Sequence, residues 1–274
     1  MCKGLSVEVH RMLKMAPNQP EYNDYAHFKF KMFHQNVNKQ REEIFISPIA
    51  LAVNIGDYAM VDSLLNYFKN LKIEEGIHAK SLTPSVVVKN QKLTIRRFSP
   101  VQYACSLGLF TILDRLLHQG ANPNGLDGSY DQIIDEGDTT KYNYHDGESP
   151  LIICLQKKYQ NQSLLVEGLS FKRLYNPTRD TDHNACLRLL LKYKADCNLK
   201  SPSGKLPIFK ALKSNILSLQ LLVENDPDRN RTINSLNKNG MTPLCKLASK
   251  EESEENFQMI NLLLRWGVSC KPSL

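Results

Sequence analysis

The sequence predicts an all-α solenoid: a stack of about five helix-turn-helix units with β-hairpin finger loops, long insertions and an N-terminal helical cap. Three observations predict it. A proline-anchored hexad recurs five times along the 274 residues. An apolar segment at helical spacing follows each hexad, and small turn residues separate and close the paired segments. Repeats are weighed before local structure because a missed repeat misassigns the whole fold.

The hexads read, in chain order, Ser47-Pro48-Ile49-Ala50-Leu51-Ala52, Ser99-Pro100-Val101-Gln102-Tyr103-Ala104, Ser149-Pro150-Leu151-Ile152-Ile153-Cys154, Leu206-Pro207-Ile208-Phe209-Lys210-Ala211 and Thr242-Pro243-Leu244-Cys245-Lys246-Leu247. Ser or Thr before the proline can cap a helix by accepting from an orphan N–H. Proline at the first helical position loses no hydrogen bond and has φ preset. The aliphatic residue after it and the small or apolar residue three places on share one helical face. The second segments are Val61 to Leu65, Ile112 to Leu117, Cys186 to Leu190, Leu219 to Leu222 and Ile260 to Leu263, apolar at helical spacing. Gly56-Asp57, Gly108 and Asn215 suit a left-handed turn closing the first helix. Gly120-Ala121, Lys194-Ala195 and Gly267-Val268 follow the second helices, and Asp146-Gly147, Ser203-Gly204 and Asn239-Gly240 mark tight turns before three hexads.

Together these features resemble the ankyrin repeat, a β-turn and two helices around a TPLHxA hexad with a period of about 33 residues. The segment Phe98 to Asn124 is most similar to that pattern. The resemblance covers units of about 42–67, 96–124, 145–198, 202–225 and 238–271, giving an N-terminal helical cap over 1–41 and a repeat domain over 42–274. The hexad prolines lie 52, 50, 57 and 36 residues apart, so the first three intervals exceed the family period. Core formation by stacking requires these insertions to leave through loops.

In the first insertion, 68–97, Val86-Val87-Val88 and Leu93-Thr94-Ile95 flank a polar turn and read as a β-hairpin. In the second, 125–146, Asp127, Ser129, Asp131, Asp135 and Asp138 have partial calcium-loop spacing. Gln132 stands where that loop needs Gly and Asp138 where it needs Glu, so a solvated acidic loop is expected and no metal. Tyr130, Tyr142 and Tyr144 are polar-tipped aromatics of the kind interfaces favour. The third insertion, 157–184, contains Leu164-Leu165-Val166 and reads as an extra short helix; Asp180 and His183 read as polar loop residues with no nucleophile near. In the cap, Leu5 to Met15 reads as an amphipathic helix, and Tyr22, Tyr25, Phe28, Phe30 and Phe33 as a second.

The net charge of +7 is uneven: +5 over 1–97, −1 over 98–200 and +3 over 201–274. Lysines outnumber arginines 24 to 11, so bidentate phosphate recognition is not emphasised, and no nucleic acid is expected as partner. No apolar run reaches the length of a membrane span, and the first 20 residues lack the core of a secretory signal. The seven cysteines form no CxxC pair and suit a reducing, cytoplasmic compartment. Cys105, Cys154, Cys186 and Cys245 read as small buried hydrophobes. No metal spacing, P-loop, dinucleotide fingerprint or triad order points to an enzyme, and no cofactor is expected.

The resemblance implies a non-catalytic module that binds a protein through a concave face of finger turns and first-helix positions. On this chain those positions are Leu51, Asn54 and Ile55; Tyr103, Ser106 and Leu107; Ile153, Gln156 and Lys157; Lys210, Lys213 and Ser214; and Lys246, Ser249 and Lys250, with Tyr142 and Tyr144 as loop anchors. The face runs from apolar to basic, which anticipates a partner with an apolar anchor at one end and acidic or phosphorylated residues at the other. A monomer is expected. The cluster Glu251-Glu252-Ser253-Glu254-Glu255 is similar to the Glu-rich stretch of ankyrin effectors exported by the Dot/Icm type IV system of intracellular bacteria into the host cytosol. The Lys- and Asn-rich usage resembles such effectors and also proteins of some large DNA viruses. An enzyme built from the insertions and a cytosolic scaffold that is never secreted are the alternatives.

Overall fold

The computed structural model describes residues 30–35, 41–46, 49, 52–53, 56–70, 85–89, 92–96, 99–125, 148–155, 181–201 and 204–268. Two antiparallel hairpins pair β1 (Phe30–Gln35) with β2 (Arg41–Ile46) and β3 (Ser85–Lys89) with β4 (Lys92–Arg96). The helices are α1 (Tyr58–Asn70), α2 (Pro100–Leu107), α3 (Phe110–His118), α4 (Pro150–Cys154), α5 (His183–Lys192), α6 (Pro207–Ala211), α7 (Ile216–Glu224), α8 (Arg229–Ile233), α9 (Pro243–Ala248) and α10 (Glu254–Arg265).

The hairpin expected in the first insertion is present, with Val86 opposite Ile95 and Val88 opposite Leu93. The other hairpin is a correction. Phe30 and Phe33, read as part of a second cap helix, lie in β1, which pairs Phe30 with Ile46 and Met32 with Ile44. Aromatic and β-branched residues placed two apart favour a pleated ladder over a helix. This hairpin also spans the expected boundary between residues 41 and 42. The expected Leu5–Met15 helix and most of the second and third insertions lie outside the described residues.

Local chemistry starts the helices where the prolines predict. Ser99 closes a capping box on α2: its Oγ accepts the Gln102 N–H at 3.2 Å, and Gln102 Oε1 accepts the Ser99 N–H at 2.7 Å. Ser149 caps α4 and Thr242 caps α9 through the same N3 contact. Leu206 gives α6 no side-chain cap. Gly108 closes α2 in the left-handed region at φ 71°, as expected. Asn215, read as a similar turn, instead has extended backbone and caps α7, accepting the Ser218 N–H at 2.7 Å. The competing preference of Asn for N-caps prevails here.

The pairs stack in sequence order. α2, α4 and α6 form one row; α1, α3, α5, α7 and α10 form the other; α2 meets α3, α6 meets α7 and α9 meets α10 within units. One continuous core results, with Leu64, Leu113, Leu116, Leu151, Leu190, Leu219, Leu222 and Leu263 almost wholly buried. Polar contacts also join neighbours. Arg115 Nε donates to Asp62 Oδ1 at 2.6 Å between α3 and α1, and Gln102 Nε2 donates to the Glu148 carbonyl at 2.9 Å between α2 and the turn before α4. The finger turns close through Ser201–Lys205 and Asn237–Met241 backbone bonds, with Gly204 and Gly240 at positive φ.

Candidate functional site

The two ends of the expected face differ in what the structure does with them. Leu51, Asn54, Ile55, Tyr142, Tyr144, Gln156 and Lys157 lie outside the described residues. Tyr103, Ser106 and Leu107 are only 8%, 5% and 6% exposed, and Ile153 is fully buried. The expectation that they line an open apolar groove is therefore corrected. All eight residues of α2 are buried, and the helix packs on α3, α4 and α5 together. Ser106 is used internally: its hydroxyl donates to the Tyr103 carbonyl at 2.9 Å, and its own carbonyl lies 3.3 Å from His183 Nε2. Hexad spacing places residues on a helical face but does not say how much else covers that face.

At the other end three of the lysines, Lys213, Lys246 and Lys250, come together. Lys210 lies half-buried on α6, Lys213 is exposed just beyond it, and Lys246 and Lys250 lie half-buried on and just beyond α9. Lys250 Nζ donates to the carbonyl of Leu212, which ends α6, so the last unit grips the one before it. A cation suits the carbonyl-rich end of a helix. Burial, and then repulsion from Lys213, holds the Lys250 ammonium below its ordinary value, with Lys246 adding to the repulsion and Glu255 opposing it. Lys213, Lys246 and Lys250 thus share one field at the junction of the fourth and fifth units.

The cysteines are mostly inert. Cys105, Cys154 and Cys186 are all buried, on α2, α4 and α5, which pack against one another. Their pKa values are raised, by burial first at Cys105 and Cys154 and by the neighbouring Cys154 thiol first, then burial, at Cys186. Burial, then Asp226 and Asp196, pushes Cys197 up to about 12. Cys245, expected to be buried, is exposed: it stands two residues from the buried Leu247 and so on another side of α9. Among the described residues, no group of three His, Cys, Asp or Glu side chains is placed to hold a metal ion, and no helix is long and apolar enough to cross a membrane.

Sequence reasoning missed α8 and the polar knot that holds it. Thr232 Oγ1 lies against both Asn198 Oδ1 and the buried Asp226 carboxylate, tying the linker before the fifth unit to the end of the third. An Asp-Pro-Asp turn ahead of a short polar run carries too little apolar periodicity to signal this helix.

A fold of sequentially stacked helix pairs with capped prolines and finger turns is the ankyrin-repeat fold. Comparison agrees. Residues 178–272 match the family model for ankyrin repeats in three copies. The crystal structure of EF0377, an ankyrin repeat protein, is similar to this chain at 16% identity with a TM-score of 0.50, covering 82% of this chain and 83% of that one. No curated protein sequence matches this chain.

Proposed function

We propose that this chain is a non-catalytic protein-binding module, that its basic end takes an acidic or phosphorylated segment of a partner, and that it is a secreted bacterial effector acting on a host protein. Ankyrin repeats are generally protein–protein interaction modules. The observation that supports the basic end is the grouping of Lys213, Lys246 and Lys250, where burial first, and then repulsion from Lys213 and Lys246, depresses the Lys250 ammonium. An incoming carboxylate or phosphate relieves that repulsion, which favours anionic partners over neutral ones. Effector status rests on the Glu-rich stretch at 251–255 and on the Lys- and Asn-rich usage.

The test of binding is affinity capture from host cytosol followed by mass spectrometry, comparing the native chain with Lys213→Glu/Lys246→Glu. The binder is recovered by the native chain, lost by the variant, and held less tightly as salt rises. A binder retained equally by both, with unchanged salt dependence, contradicts the reading. Export is tested with a translocation reporter on the N-terminus and Gln at 251, 252, 254 and 255. Signal in host cells that falls with these exposed changes supports it; no signal from the native chain refutes it.

A further inference from the structure

The exposed side of the last unit has the opposite character to the lysine cluster. We infer that it is a second docking surface, and that its occupant is a basic amphipathic helix of a partner protein.

Among the described residues no helix pair follows α10. Here α10 turns Met259 and Leu263 into the core and leaves Phe257 61% and Leu264 47% exposed, one heptad apart, with half-buried Ile260 between them. Helical geometry puts these three on one stripe beside the buried face. The stripe continues into an open cleft of about 620 Å³ between α9 and α10, floored by Leu247, Ala248, Phe257 and Ile260. Cys245, three residues before the cleft-lining Ala248 on α9, is exposed as well. In the earlier units the corresponding helices are covered by the next pair, α3 by α5 and α5 by α7.

Charge selects the occupant. The cleft is rimmed by Glu251, Glu252 and Glu254. The carboxylates of Glu251 and Glu252 have no ion pair or hydrogen bond among the described residues, while Glu254 accepts from Gln258. The lone cation on the lining, Lys250, is turned to the Leu212 carbonyl. An apolar strip beside free carboxylates complements a helix with an apolar stripe and lysine or arginine flanks, the helix-in-groove mode. A second copy fits less well, because two copies meeting through this face bring the same Glu251 and Glu252 carboxylates against each other, like charge against like.

The test uses the full chain and a fluorescent model helix of Leu and Lys in amphipathic order, with a scrambled peptide of the same composition as control. The ordered peptide binds, the scrambled one binds at least about tenfold more weakly, and Phe257→Ala/Leu264→Ala and Glu251→Lys/Glu252→Lys each lose about tenfold. Lys213→Glu/Lys246→Glu leaves this binding intact, which separates it from the basic-end reading. All of these changes are at exposed or half-buried positions, and unaltered thermal unfolding confirms that the fold persists. Equal binding of the two peptides, or undiminished binding by either cleft variant, overturns the inference. So does a concentration-dependent dimer, seen by sedimentation, that Phe257→Ala/Leu264→Ala dissolves.

Discussion

Lys194 is the one described non-glycine residue at positive φ, 62°, and it occupies the turn that Gly120 and Gly267 fill after other second helices, at 92° and 80°. A side chain there is strained, and its replacement by glycine removes the strain at some cost in unfolded-chain entropy. Lys194→Gly is expected to stabilise the protein by about 0.5 kcal/mol, read as a higher urea midpoint; a lower midpoint would show that the lysine contributes something its backbone does not reveal. The cysteines allow a second prediction at this scale. A thiol-reactive dye labels Cys245 in the native protein, whereas Cys105, Cys154, Cys186 and Cys197 react only on unfolding. Raised native pKa values mean that the folded state keeps protons the unfolded state releases. Stability therefore declines as pH rises through the ordinary thiol value of 9.0. Stability that climbs over that range contradicts the sign.

Gln102 shows how an element is both started and joined to the next. It is 0% exposed, closes the α2 capping box, and donates across to the Glu148 carbonyl. Gln102→Ala strands the Ser99 N–H and the Glu148 carbonyl in the interior and leaves a void. Its cost is expected to be about 2–3 kcal/mol by equilibrium denaturation, and a loss below about 0.5 kcal/mol would mean that water or a shift of the turn replaces the bonds. The capped prolines were legible because Ser-Pro and Thr-Pro act within one turn of chain. The β3–β4 hairpin was legible because alternation and a polar turn coincide. What stayed hidden depends on distant partners. Phe30 and Phe33 find their ladder only through Ile46 and Glu43, α8 is held by Asn198, and α2, which carries Tyr103, packs on α4 and α5, more than forty residues away. The grouping of Lys213, Lys246 and Lys250 was readable because two neighbouring units each carry the lysines; the exposed stripe of α10 was not, because Phe257, Ile260 and Leu264 read as ordinary core spacing.

As a whole, the molecule is a row in which each helix pair is sealed by its neighbours. The sign of its surface charge changes over a short distance, from Lys213, Lys246 and Lys250 to Glu251, Glu252 and Glu254. On the two readings proposed above, partners of opposite character, or two parts of one partner, are held side by side. Charge reversal at one site is expected to leave the other intact, since neither requires the other's side chains except Lys250, which serves the junction between units. The most direct measurement of the central claim is amide hydrogen exchange on the full chain, with and without the host protein captured by the basic end. Slowed exchange at 210–214 and 246–250 is the predicted result. Protection confined to other segments, with these two unchanged, would contradict it.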